Sequence, residues 1–514
     1  VPRPRRTGRK GRPPPPTLKP ATLAIRVNCT GNVTEEALAQ IEALLETRTE
    51  AVDLRFARAC LLEELGRLAH ARGAYKGVLA RDATHFGALM NLGTMLYLEN
   101  RRPEARILYQ QATKHHPREA SAFVNLGNVL AEDDPVAARA AYERALELEP
   151  AHATGNFALA LLHDALGDAA AAQTYRGRAF AEPIVRVTPF RGDGRPLRVL
   201  VLLAANGGNI VTTLLFDDRE IEATVLVADS YRDGLELPPH DLIFNAIGDA
   251  DRSDGALAIA ERIVAASVAP AINQPAAVRR TGRLDIARFA AIPDVRAPLT
   301  VALPRAQLDA AALAARGFAF PVLLRSPGYH MGEHFAFVAA PGDLAAALAK
   351  LPGDELLAIA YLDARGRDGG VRKYRALAVD GTLYPVHLAI SPAWKVHYFS
   401  ADMRDNEAHR AEEAAYLDDM TARLGPRAFA ALQRIAATLD LDYAGIDFSI
   451  DGAGNVLLFE ANPTMAIYLP DGDERFAYRR AAITRIVAAI RRMFRERAPG
   501  RRSTPRSTAG THRA

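Results

Sequence analysis

The chain of 514 residues has only two cysteines, Cys29 and Cys60, and a single tryptophan, Trp394. Two thiols make neither a disulfide framework nor a cysteine metal cage, so the expectation is a reduced, cytoplasmic protein. Long apolar runs are also missing. A membrane helix needs about 18 or more consecutive apolar residues and none occurs, while the basic start runs into prolines where a signal peptide needs an apolar core. Neither a membrane span nor export is expected. Acidic residues are absent from 1–20, which carry seven Arg or Lys, and from 498–514, which carry four. With the whole chain at +4, those eleven cations leave the body at −7, so the basic character belongs to the ends. Sequence such as PRPRRTGRKGRPPPP buries too little apolar surface to fold. Residues 1–33 and 498–514 are therefore expected to be disordered tails, and nucleic acid is not an expected partner of the body.

What is present begins with a repeat. Ala71, Ala105, Ala138 and Ala171 recur at steps of 34, 33 and 33, and Tyr75, Tyr109, Tyr142 and Tyr175 recur in the same steps. Alanine followed by a large residue four positions later puts both on one helical face, the small one allowing close approach and the large one filling the groove. Ala37 and Ile41, just after the N-cap candidate Thr34, continue the pattern upstream as a half-repeat. The segments NLGTMLYLENRRPEARILYQQATKHHP and NLGNVLAEDDPVAARAAYERALELEP, with Leu92-Gly93, Leu126-Gly127, Pro117 and Pro150, resemble tetratricopeptide repeats. The resemblance implies an all-α solenoid over 34–182 whose concave face takes a peptide or protein partner.

Near the other end, residues 442–463 read DYAGIDFSIDGAGNVLLFEANP, two apolar runs about a Gly/Asp/Asn loop of the hairpin type. Strand alternation puts Asp447 and Ser449 on one face, and Ile446, Phe448 and Ile450 on the other. On the return strand Glu460 and Asn462 share a face, with Leu457 and Phe459 expected opposite. Folding about the loop sets Asp447 across from Glu460, and Gly445 leaves room for a close approach. Two carboxylates and an amide on rigid strands suit Mg²⁺. Gly445-Ile446-Asp447, with Glu460 thirteen positions on and then Asn462, resembles the metal-binding end of the ATP-grasp ligases, the superfamily of glutathione synthetase, D-alanine–D-alanine ligase and ribosomal-protein glutamate ligase.

That resemblance organises the stretch between. RVLVLLA, IEATVLVA and HDLIFNAIG read as buried parallel strands and DGALAIAERIVAAS as a helix. Gly207-Gly208 lacks the spacing of a dinucleotide fingerprint and reads as a tight turn. The resemblance implies an α/β pre-ATP-grasp domain over 196–295 and an α+β ATP-grasp fold over 296–497. INQPAAVRRTGRLDIARF is similar to the segment leaving the first of these domains, with Arg283 facing nucleotide. In FAFPVLLRSPGYHMGEHFAF a strand ends at Arg325, where the family has a lysine for the α-phosphate; a loop with Gly328, His330, Gly332 and His334 follows. Arginine, permanently charged and bidentate, can serve there. Tyr361-Leu362 matches the hinge that meets adenine, Lys373 a ribose-side position, and Arg375 the cation beside the transferred phosphate. Trp394, Lys395, His397, Arg410 and Thr464 are the acceptor-site candidates.

The implied activity is an ATP-dependent carboxylate–amine, or thiol, ligase acting through an acyl phosphate and releasing ADP and phosphate. ATP and two Mg²⁺ ions would be its cofactors, with Asp447, Glu460 and Asn462 as metal ligands and Arg325 and Arg375 as catalytic cations. Because Arg325, Ala360 and Lys373 depart from the family pattern, a nucleotide-binding adaptor without turnover is the first alternative. A repeat-containing glycosyltransferase is the second.

Overall fold

The computed structural model describes residues 35–65, 67–188, 190–327, 334–396, 401–469 and 474–498. Apart from Ala498, both expected tails lie outside these residues, as do Gly328, His330, Gly332 and His397. The chain divides between Glu182 and Pro183 into two compact units, each described by itself.

The helical unit runs α1 (Glu35–Thr47), α2 (Val52–Glu64), α3 (Leu68–Leu79), α4 (Phe86–Leu98), α5 (Arg102–His115), α6 (Ala120–Leu130), α7 (Pro135–Leu148), α8 (Ala153–Ala165) and α9 (Ala169–Ala179). From α2 onward the helices pack as consecutive pairs, so the period of 33 to 34 residues read from the sequence is one helix pair. Capping sets the starts: Asp134 Oδ1 accepts from the Ala137 amide at 3.0 Å, and Asp168 Oδ1 from that of Ala171 at 3.1 Å. Ala71, Ala105 and Ala138 are fully buried, and Tyr75, Tyr109 and Tyr142 fill the space beside them. Gly93 is needed for this fit, since a Cβ there would stand 2.7 Å from Tyr109 Cε1; a Cβ on Gly127 would collide with the Tyr142 ring. Each tyrosine hydroxyl finds a partner one helix away. Tyr142 donates to Asn128 Oδ1 at 2.9 Å, Tyr109 and Thr94 share a bond of 3.1 Å, and Tyr75 donates to Glu63 Oε2 at 2.7 Å. At α9 the fit opens: Ala171 and Tyr175 are half-buried and Tyr175 stacks on His163 with centroids 5.4 Å apart, as befits the end of an array. Cys60 departs from the expectation of reduced thiols, being disulfide-bonded. The other cysteine, Cys29, lies outside the described residues.

The second unit is built on three sheets. The first contains β1 (Val185–Thr188), β2 (Leu197–Leu203), β3 (Ile221–Val227), β4 (Leu242–Asn245) and β5 (Ala271–Ile272) in the order β1-β3-β2-β4-β5, parallel except for β1. It starts at β1, eleven residues before the expected 196, because Val185–Thr188 pairs antiparallel with β3. Its strands are apolar on both sides, as parallel strands covered on two faces must be. The chain direction across the sheet reverses beside β2, whose neighbours are β3 and β4. At the carboxyl ends of β2 and β4 lie the Gly207-Gly208 turn, with φ of 87° and 73°, and the start of α10 (Ala250–Ala265). Such a reversal leaves a crevice where open α/β sheets bind ligands. After β5 comes the single turn α11 (Pro275–Val278).

β6 (Val295–Arg296) leaves to join the third sheet. β7 (Thr300–Pro304), β8 (Val322–Arg325), β9 (Phe335–Val338) and β10 (Glu355–Ala360) form an antiparallel sheet ordered β7-β10-β8-β9, its core closed by α12 (Ala310–Ala315) and α13 (Leu344–Leu348). β11 (Val371–Val379), β12 (Thr382–Ser391), β13 (Tyr443–Ile450) and β14 (Val456–Asn462) complete the third sheet in the order β12-β11-β13-β14-β6. It is backed by α14 (Glu407–Asp418), α15 (Met420–Leu424), α16 (Pro426–Leu439) and α17 (Arg479–Arg497). On α16, Leu432, Ile435 and Leu439 are buried and Phe429 is half-buried.

The hairpin β13–β14 closes about DGAGN with Asp447 opposite Glu460, the expected register. One expectation fails there. Phe448 pairs with Leu458, so Phe459 is an extra residue and the strand bulges. The bulge turns Glu460 to the same side as Phe459, while Leu458 and Ala461 enter the core behind. Without it, strict alternation would have put Glu460 beside Leu458. Asn273 fastens the first sheet to this hairpin: Tyr443 N donates to Asn273 Oδ1 at 2.8 Å, Asn273 Nδ2 donates to Tyr443 O at 2.9 Å, and Asn273 N donates to Asp442 Oδ2 at 2.9 Å.

Candidate functional site

Where the three sheets of the second unit meet there is a cavity of about 480 Å³. The crevice of the first sheet contributes Gly248, Asp249 and Asp251; a Cβ on Gly248 would stand 2.8 Å from Thr464 Cγ2, so only glycine lets the loop after Asn462 close over this point. Gly445 plays a similar part on β13, where the Met465 side chain packs directly on its backbone. The approach is that of a side chain rather than of the main chain.

One wall of the cavity is apolar and aromatic. Trp394 lies 5.4 Å from Phe337, stacked, and 5.3 Å from Phe335, edge-on, while Tyr361 meets Phe337 edge-on at 5.1 Å. Tyr361 and Leu362 follow β10 directly, and both line the cavity with Phe459 and Val396. The bulge on β14 is what lets Phe459 and Glu460 point the same way.

Charged groups adjoin this wall, with Arg325 lying over the Phe335 ring at 5.5 Å. Asp447, fully buried at the centre of β13, accepts from Arg375 Nε at 2.6 Å on Oδ1, from Arg375 Nη2 at 2.8 Å on Oδ2, and from Lys373 Nζ at 2.5 Å on Oδ2. Lys373 and Arg375 reach it together because they alternate onto one face of β11, and Arg375 is the register partner of Asp447. Burial alone would raise the Asp447 pKa; Arg375 and Lys373 overrule it and hold the carboxyl far below its ordinary range. Burial likewise opposes the charge on Arg375, and Asp447 more than restores it. Arg283 donates to Asp251 through its backbone N at 3.2 Å and its Nη1 at 2.9 Å, and its Nη2 stands 3.9 Å from Glu460 Oε1. Arg325, the last residue of β8, is pulled down to about 10 by burial and by the positive charge of Arg283, and remains a cation at neutral pH.

Of the residues singled out in the sequence, Arg283, Arg325, Tyr361, Leu362, Lys373, Arg375, Trp394, Lys395, Asp447, Glu460, Asn462 and Thr464 all line this cavity. Arg410 does not. Its Nη1 donates to the carbonyls of Met403 at 3.1 Å and Arg404 at 2.8 Å, so it braces the turn before α14 instead of meeting a substrate carboxylate. His397 lies outside the described residues. Sequence reasoning missed Asp249, Asp251, His387 and Arg479. His387, opposite Arg375 on β12, is held well below the ordinary imidazole pKa by burial and by the Arg375 charge, hence neutral. Arg479, at the start of α17, donates its Nη2 to the buried Glu413 at 2.6 Å. Only the strand pattern around His387 carried any signal.

The three expected metal ligands do not present three available oxygens. The Asp447 carboxylate is bracketed by two cations. Asn462 Oδ1 accepts from the backbone N of Thr464 at 3.0 Å and its Oγ1 at 2.7 Å, which uses both lone pairs of an amide oxygen. Glu460 Oε1 accepts from Asn462 Nδ2 at 2.9 Å, which leaves Oε2 as an accessible donor atom. A dication beside Asp447 would also meet the charges of Lys373 and Arg375; at an effective dielectric near 20, two unit charges about 4 Å apart interact by about 4 kcal/mol. Among the described residues no group of three or more His, Cys, Asp or Glu is placed to hold a metal. As arranged, the trio does not fit the two Mg²⁺ ions expected from the sequence.

No family model matches the chain, and no curated protein matches it. Solved structures similar to it include MamA of Desulfovibrio magneticus RS-1, at 20% identity and a TM-score of 0.27, covering 29% of this chain and 84% of that one. Another is PilF of Pseudomonas aeruginosa, at 24% identity and a TM-score of 0.27, covering 28% of this chain and 67% of that one. The tetratricopeptide-like character of the helical unit stands on its own helix pairs and on the Gly–Tyr contacts within them. No helix among the described residues is long and apolar enough to cross a membrane.

Proposed function

We propose that the second unit binds a nucleoside triphosphate and uses it to join a carboxylate to an amine, in the manner of the ATP-grasp ligases that its motifs resemble. The observation that carries this reading is a cavity that joins an aromatic wall to a set of cations. An aromatic and apolar wall suits a planar base, and cations from four different strands and turns suit a phosphate chain. In the reaction a carboxylate oxygen attacks the γ-phosphorus. The bond to the β,γ-bridging oxygen breaks and ADP departs with its electron pair. The amine nitrogen then attacks the acyl carbon, phosphate leaves, and the surplus amine proton passes to phosphate or solvent. Arg325 and Arg375 supply fixed positive charge where negative charge gathers, the kind of electrostatic support that is worth most in a water-poor site. The helical unit would serve as a scaffold for a protein or peptide partner, a reading by fold analogy.

The test is a product search by mass spectrometry with purified full-length protein, ATP and pools of amino acids, peptides and amines. The expected result is ADP, phosphate and a new mass equal to acid plus amine minus water, with Arg375→Ala slowing ADP formation by about a hundredfold or more. If no pair of acid and amine stimulates ADP formation, the second reading takes its place: an adaptor that binds nucleotide without turnover. The ion-paired state of Asp447 favours that alternative.

A further inference from the structure

The arrangement around Asp447 raises the question of what holds a polyanion in this cavity. In the sequence, Asp447 is a carboxylate waiting for a cation. In the structure it already has two, Lys373 and Arg375, both delivered by β11 and both within 2.8 Å of its oxygens. The triad carries a net single positive charge. Among the described residues six cationic side chains line the cavity against five carboxylates, and three of the carboxylates, Asp249, Asp251 and Asp285, belong to the first-sheet end and the loop after α11 rather than to β13 and β14. Around Asp447 the cations Lys373 and Arg375 meet Asp447 and its register partner Glu460, and Arg283 and Arg325 add positive charge on the side of Glu460. Tyr416 Oη donates to the Arg375 carbonyl at 2.9 Å, which helps fix the strand that presents Lys373 and Arg375.

We propose that this cavity holds the phosphate chain of its ligand directly on Lys373, Arg375 and Arg325, without a divalent cation, and that Asp447 is the counter-ion with which the ligand competes rather than a metal ligand. The inference rests on the triphosphate reading given above but differs from it in a measurable way. A metal ligand and a counter-ion respond oppositely to neutralisation. Replacing Asp447 by asparagine removes a metal's anchor in the first case. In the second it releases two cations for the incoming anion.

The chain's single tryptophan, Trp394, lines the cavity and reports on it. Full-length protein is titrated with inorganic triphosphate and separately with ATP, each in EDTA and each in Mg²⁺, with tryptophan fluorescence and isothermal calorimetry as readouts. The expected result is binding of both probes in EDTA, with dissociation constants within about threefold of those in Mg²⁺, and about tenfold tighter binding in EDTA by Asp447→Asn. Glu460→Gln, the safer variant for folding, should bind at least as tightly as the parent in EDTA and lose nothing in Mg²⁺. Binding seen only with Mg²⁺, or weakened about tenfold in Mg²⁺ by either substitution, overturns the inference while leaving the triphosphate reading intact. Triphosphate binding in EDTA with no binding of ATP does the reverse. If neither probe binds under any condition, both fail.

Discussion

The two units bury polar groups in opposite ways. In the helical unit the buried partners are mostly neutral and near in sequence: Tyr142 with Asn128, 14 residues apart, and Tyr109 with Thr94, 15 apart. In the second unit they are charged and remote, Asp447 with Arg375 across 72 residues and Glu413 with Arg479 across 66. A neutral hydroxyl pair can be repeated at every period because each copy stands alone. A buried carboxylate with two cations cannot, since removing the carboxylate leaves both cations without compensation. The contrast separates a region selected for regularity from one that holds charge out of water at a single place.

The largest expected effect tests that contrast directly. Asp447→Ala leaves Arg375 and Lys373 facing each other in a mostly buried site, and breaking such a pair costs about 3–5 kcal/mol. Calorimetry should show the transition of the second unit falling steeply while that of the helical unit stays in place. A uniform fall of both would erase the distinction between them. Gly93→Ala should do the converse. Its methyl group overpacks against the Tyr109 ring, at a cost of about 1–3 kcal/mol confined to the helical unit.

A third prediction uses pH. The fold keeps His387 neutral, so its folded pKa lies below the unfolded value of about 6.5. Its contribution to stability is complete above about pH 6.5 and is lost as pH falls below it, because the unfolded chain then binds a proton that the folded one refuses. The slope approaches about 1.4 kcal/mol per pH unit. His387→Gln should flatten the dependence of the second unit's melting temperature between about pH 6.5 and 5; an unchanged slope would assign it to other groups. The smallest effect is that of Tyr142→Phe, which deletes the hydroxyl bonded to Asn128 and should cost about 1 kcal/mol in the helical unit, read from urea unfolding.

How much of this was legible in the sequence follows from the same contrast. The Ala–Tyr period and the helix pairs are local, and local patterns are visible in one chain. The register of Asp447 against Glu460 was visible too, because a short loop fixes it. The orientation of Phe459 was not, for a bulge is an exception to alternation that no residue type announces. Nor was the occupancy of Asp447: Lys373 and Arg375 could be named as site residues, but that they meet this carboxylate depends on β11 and β13 being neighbours. Arg410 shows the opposite failure. A cation in the right stretch of sequence was spent on backbone carbonyls.

The side chain of Asn273 has a consequence for how the second unit can be divided. By standing in for a missing strand residue, it satisfies both the amide and the carbonyl of Tyr443, four residues before the ionic centre. A fragment cut just after the first sheet would expose those groups at the base of the hairpin, so the parallel sheet is inherited with the hairpin rather than exchanged for another.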